Sequence, residues 1–94
     1  MGQPQLMGRA LRELLRDLGI DKKLKQEEAL GRWEGVVGPR IAGVTEPLRV
    51  EGGKLWVRVK RSTWRQELQL KKLDIIKKLN SSIGSRIIKD IHFV

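Results

Sequence analysis

The sequence predicts an α+β domain, a three-stranded sheet with helices packed on one face, in the order α-α-β-β-α-β. Three observations carry that prediction. Residues 44–60 hold two runs of alternating apolar and polar side chains joined by Gly52-Gly53, apolar residues recur at helical spacing before and after them, and the chain closes on another apolar run from Arg86 to Val94. An alternating pair joined by two glycines is a hairpin, and a strand arriving after a helix extends it into a sheet whose apolar face needs helices to cover it.

Taken in order, residues 5–18 place Met7, Ala10, Leu11, Leu14, Leu15 and Leu18 on one helical stripe that Gly19 closes. Asp21 is positioned to cap a second helix reaching about Val37, with Ala29, Leu30, Trp33, Val36 and Val37 as its buried stripe. Gly31 and Gly35 each cost that helix roughly 1 kcal/mol relative to alanine, which implies close packing against another element. Gly38-Pro39 stops it, and residues 40–43 form a short turn into the hairpin.

A two-residue turn at Gly52-Gly53 pairs Glu51 with Lys54, Val50 with Leu55, Arg49 with Trp56 and Leu48 with Val57. Leu48, Val50, Leu55, Val57 and Val59 then share the core face, while Arg49, Glu51, Lys54, Trp56, Arg58 and Lys60 share the other. Ser62 or Thr63 caps the third helix, Thr63 with Gln66 as a capping box. Its stripe is Trp64, Leu68, Ile75, Ile76, Leu79 and Ile83; Glu67, Lys71, Asp74 and Lys78 form an ion-pair ladder on the opposite side. Residues 81–85 read as a turn. The last strand spans residues 86–94 with Ile87, Ile91 and Phe93 inward, leaving Lys89 on the wrong face unless a bulge intervenes. Pattern alone does not fix where this strand joins the sheet, or in which direction.

Ninety-four residues make one domain, 1–94. The absence of cysteine excludes disulfides, thiolate nucleophiles and Cys-based zinc sites. Residues 1–19 lack the apolar run of a signal peptide and no stretch has the ~18 apolar residues of a membrane span, so the expectation is a cytoplasmic protein without a membrane contact. The formal charge of +9 is unevenly placed: residues 1–43 carry 8 Lys/Arg against 6 Asp/Glu, and residues 44–94 carry 12 against 5. Clustered cations of that kind gain free energy by releasing counterions from phosphates, although basic charge also serves solubility.

Little in the sequence points to catalysis. His92 is the lone histidine, beside Phe93 near the C-terminus, and reads as a strand surface position. Glu67 and Asp74 each have a lysine four residues on, which reads as ion pairing rather than acid–base chemistry. Gly35-Val36-Val37-Gly38 matches the GxxG signature of KH modules but has no basic residue inside it and reads as a helix end. Walker and dinucleotide fingerprints are absent. The expectation is a non-enzymatic protein with no cofactor, no metal and no small-molecule substrate.

The candidate nucleic-acid-binding residues are Arg49, Lys54, Trp56, Arg58, Lys60, Arg61 and Arg65, concentrated around the hairpin and the third helix start. Trp33 and Trp64 fall on buried stripes. Trp56 lies on the outer face, as a cross-strand cation–π partner of Arg49 or as a platform for a base. Leu70 and Leu73 lie off both faces of the third helix, and either the N-terminal helices or a partner covers them.

Trp33, Val36-Val37-Gly38, Ile41, Thr45, Pro47-Leu48, Gly53, Leu55, Val57, Val59, Ser62, Trp64 and Glu67-Leu68, followed by Leu79-Asn80 and Ile91-His92-Phe93, form an ordered set. In that set the chain resembles the DciA-like family over about residues 6–94. The resemblance implies a KH-like fold and a bacterial DNA-replication factor that binds single-stranded DNA and helps load the DnaB-type replicative helicase. Many members carry a basic, disordered extension, and this chain is expected to lack it. The competing readings are an RNA-binding module of the translation apparatus and a purely structural protein–protein interaction domain.

Overall fold

A computed structural model describes residues 4–94, with the side chains of residues 4–7, 15–17, 20 and 21 outside that description. The chain runs α1 (Pro4–Asp17), α2 (Ile20–Ala42), β1 (Thr45–Glu51), β2 (Lys54–Val59), one 3-10 turn (Ser62–Trp64), α3 (Arg65–Ile83) and β3 (Asp90–Phe93). The expected α+β order α-α-β-β-α-β is therefore the observed one. β2 is central, antiparallel to β1 and parallel to β3, and α3 makes the crossover that a parallel pair requires. α2 and α3 cover one sheet face and meet each other on it.

The hairpin forms as its glycines dictate. Gly52 and Gly53 have φ of 55° and 81°, the two positive values of a primed turn, and the pairs Glu51–Lys54, Val50–Leu55 and Arg49–Trp56 follow. Beyond them the register departs from expectation. Pro47 rather than Leu48 faces Val57, because a bulge falls between Pro47 and Arg49. Proline has no N–H for the ladder, and a bulge on an edge strand is where its absence costs least. Leu48, expected in the core, is 38% exposed. The slip turns Thr45 inward opposite Val59 and brings Glu46 opposite Arg58.

The core joins the inner sheet face (Leu55, Val57, Val59, Ile91, Phe93) to Ala29 and Trp33 of α2 and to Leu68, Ile75 and Leu79 of α3, with Leu30, Val36, Val37, Trp64, Ile76 and Ile83 packed around it. Both helix stripes are thus as expected. Trp64 is half-buried rather than enclosed. The ion-pair ladder forms, Glu67–Lys71 at 3.1 Å and Asp74–Lys78 at 3.0 Å.

α2 breaks at Gly38 (φ 87°, ψ 164°) and resumes for one helical turn, with Pro39 opening it, where residues 40–43 were expected as a plain turn. An added Cβ at Gly31 or Gly35 meets nothing within 4 Å, so neither permits the expected close approach. α2 begins at Ile20, one residue before Asp21, whose expected capping role lies outside the described residues. α1 forms and Gly19 closes it with φ 76°, yet Ala10, Leu11, Leu14 and Leu18 of its apolar stripe are exposed; Met7 and Leu15 lie outside the described side chains.

The Thr63–Gln66 capping box does not form, since Ser62–Trp64 winds into the 3-10 turn and α3 starts without a side-chain cap. α3 runs on through residues 81–83 of the expected turn and ends at Ile83, so that the turn falls at residues 84–85 with Gly84 in the left-handed conformation. The final strand is shorter than expected. Residues 86–89 are irregular, which buries Ile87 and Ile88 together and leaves Lys89 outside, so the awkward Lys89 needs no bulge. Asn80 replaces the missing ladder: its amide donates to the Ile88 carbonyl and accepts from the Ile88 N–H, both at 2.9 Å.

Candidate nucleic-acid interface

The solvent face of the sheet is assembled from alternate residues of all three strands, because successive side chains of a strand point to opposite faces. Its centre is Trp56, half-buried on β2. From β1, the Arg49 guanidinium lies over the indole, 4.6 Å from the ring centroid; the Lys54 ammonium lies 5.5 Å from it. On the other flank, the parallel register pairs Trp56 with His92, whose ring meets the indole edge to face at 4.4 Å and 65°. Arg49 is held by Glu51 at 3.4 Å, with both side chains at least half exposed. An ion pair so wet contributes little and exchanges readily for another anion.

The other predicted cations divide into two groups. Arg58 pairs with Glu46 across the hairpin, a pair created by the bulge and about half exposed on both sides. Lys60, Arg61 and Arg65 follow where β2 runs into α3; none has an ion-pair partner among the described residues, and Arg65 reaches only the Phe93 carbonyl at 3.5 Å. Arg40, from the turn after the α2 break, joins them by lying over Trp64 at 5.0 Å. Lys54 and Lys60 sit at opposite ends of β2, roughly 20 Å apart at strand rise. The face thus has an aromatic–cation stack at the hairpin end and unneutralised cations at the other. Sequence reading missed His92 as a neighbour of Trp56 and Arg40 as a partner of Trp64, since both contacts depend on long-range packing.

Asp90 is the remaining carboxylate of this face. It sits opposite Lys54 and bonds Lys72 at 3.1 Å. The hydrogen bond from Lys72, aided by the Ile91 backbone and by the charges of Lys72 and Lys54, outweighs desolvation and holds its carboxyl below the ordinary 3.8. Asp90 thereby offsets part of the positive charge near Trp56.

The model of the family described as "Dna[CI] antecedent, DciA" matches residues 6–93. The chain belongs to the DciA family. Similar curated proteins include UPF0232 proteins of Mycobacterium tuberculosis (27% identical over 88 residues, 94% of this chain and 47% of the relative), of Rhodococcus jostii (28% over 88 residues, with the same coverage) and of Mycolicibacterium smegmatis (25% over 91 residues, 97% and 47%). The chain therefore spans about half the length of the curated relatives it matches. Neither the DciA description nor the relatives' names denote an enzyme. Among the described residues of this DciA-family chain, no group of three or more His, Asp or Glu could hold a metal, and no helix is long and apolar enough to cross a membrane.

Away from the sheet face, Leu70 and Leu73 project from α3 at 82% and 76% exposure. The N-terminal helices do not cover them.

Proposed function

We propose that this DciA-family domain is a non-enzymatic replication adaptor: it binds single-stranded DNA across the solvent face of its sheet and contacts the replicative helicase through α3. One observation carries the nucleic-acid half of this reading, the Trp56 indole on an exposed sheet face under Arg49 and Lys54. A base stacks on the guanidinium plane or displaces it from the indole, and the phosphates on either side meet Lys54 and, along β2, Lys60, Arg61 and Arg65. Nothing in that arrangement reads base edges, so it suits a strand of any sequence. Support for the replication half comes from family membership and from the two exposed leucines, which sit on a helix beside lysines as a groove-binding face does.

The decisive experiment is a competition among a labelled dT oligomer, duplex DNA and structured RNA across a salt series. The single strand is expected to win, with log affinity falling against log salt at about 0.7 per phosphate neutralised. Preference for structured RNA moves the domain to the translation apparatus. Absence of binding at low salt removes the nucleic-acid role and leaves a protein–protein module.

A further inference from the structure

A groove of about 1060 Å³ opens between the C-terminal half of α3 and the irregular segment that precedes β3. Its floor is apolar, with Ile76 and Ile88, and its walls carry Lys77, Lys78, Arg86 and Lys89 without a single carboxylate among the lining residues. Lys78 is answered from outside the groove by Asp74. Lys77, Arg86 and Lys89 are exposed and have no ion pair among the described residues. Charge complementarity therefore favours a polyanion.

Two features make the groove a prepared surface. Asn80 clamps both backbone groups of Ile88, so the segment bearing Arg86 and Lys89 is fixed against α3 before any ligand arrives. The same segment is tied to the hairpin, where Gly53 accepts the Lys89 N–H at 2.7 Å. An added Cβ at Gly53 would meet the Lys89 stem at 3.2 Å. Lys89 thus lies against the turn that leads into Lys54, and the groove adjoins the hairpin end of the sheet face.

We infer that this groove is a second phosphate-binding site, in which Lys77, Arg86 and Lys89 hold the backbone of the same nucleic-acid strand after it rounds the Gly52-Gly53 turn. The inference rests on the sheet-face reading above and extends the strand's path beyond it. An acidic protein segment is the other occupant the charge would accept, and the test separates the two.

Anisotropy titrations compare the parent chain with K77Q/R86Q/K89Q, using dT oligomers of increasing length over a salt series. On long oligomers the variant is expected to lose about 2 units of salt slope, or on the order of 100-fold in affinity near ~0.1 M salt, while short oligomers held by the sheet face alone bind nearly as before. The charge-preserving K77R/R86K/K89R is expected to keep the parent slope. Should the triple variant misfold, Lys77→Gln alone, on an exposed helical position, is expected to lower the slope by about 0.7. Failure of the parent to bind any oligomer overturns the sheet-face reading together with this one. Parent binding with an unchanged slope in the variants overturns the groove alone and leaves it to an acidic protein segment. A loss that is equal at every oligomer length also overturns it, because it marks general attraction rather than contact.

Discussion

Trp33 donates its indole N–H to the Thr45 hydroxyl at 2.9 Å, and Thr45 in turn donates to the Ile41 carbonyl at 2.7 Å, with both side chains buried. The two bonds fasten α2, the helical turn after its break, and the start of β1 to one another. Thr45→Val keeps the shape but leaves the indole N–H without a partner, at an expected cost of about 1–3 kcal/mol. Urea denaturation should show a lower midpoint at unchanged slope. A midpoint equal to the parent's would mean that water reaches the indole.

The three tryptophans divide by environment, and Trp56 and Trp64 should respond differently to truncation. Trp64→Ala removes a half-buried ring packed on the core and stacked by Arg40, for an expected loss of about 2–3 kcal/mol, below the 3–5 of a fully enclosed aromatic. Trp56→Ala should stay folded, losing about 1 kcal/mol of contact with the two cations above it. Its single-strand affinity should fall by about 1–3 kcal/mol with the salt slope intact, since no charge is removed. Denaturation and a salt titration on both variants check this; parental DNA binding by Trp56→Ala would leave that ring a purely structural neighbour of Arg49.

Asp90 sets a small acid-side dependence of stability. Its carboxyl is held below the ordinary 3.8 chiefly by Lys72, so the unfolded chain binds this proton more tightly than the folded one. The stabilisation is therefore complete above about pH 5. It is lost as pH falls through the folded value. Because the pair is partly exposed the effect is modest and salt-screened. Denaturation midpoints between about pH 6 and 2 should fall less for Asp90→Asn than for the parent; parallel curves would show that Lys72 does not hold the carboxylate in solution.

Leu70 and Leu73 supply a test of the partner half of the proposal. Leu70→Ser/Leu73→Ser leaves the core untouched and should change stability by no more than about 0.5 kcal/mol. Light scattering with the cognate replicative helicase is expected to show complex for the parent and none for the variant. Equal association of both would place the contact elsewhere, for instance on the exposed apolar stripe of α1.

The hairpin and α3 were legible from the residues themselves. Gly52-Gly53 permits one turn, the turn fixes the nearest three pairs, and the i,i+4 spacing of Glu67–Lys71 and Asp74–Lys78 fixes which side of α3 faces water. These are interactions between neighbours along the chain, so local chemistry determines them. The Arg49–Trp56 stack belongs to the same class and was readable for the same reason.

Tertiary structure decided the rest. Alternation across Pro47 and Leu48 fits two registers, and only the whole sheet packed against α2 selects the bulged one, which sends Thr45 to Trp33 and sets Glu46 against Arg58. Likewise no local pattern says that β3 lies parallel to β2 or that His92 meets Trp56; that pairing joins residues far apart in sequence, and its register comes from burying Ile91 and Phe93 under α3. The sequence by itself therefore determined the elements, their polar faces and the basic character of the second half. For the sheet face, which cations are paired was settled largely by long-range packing, because pairs such as Arg58–Glu46 and Lys72–Asp90 depend on neighbours that the fold supplies.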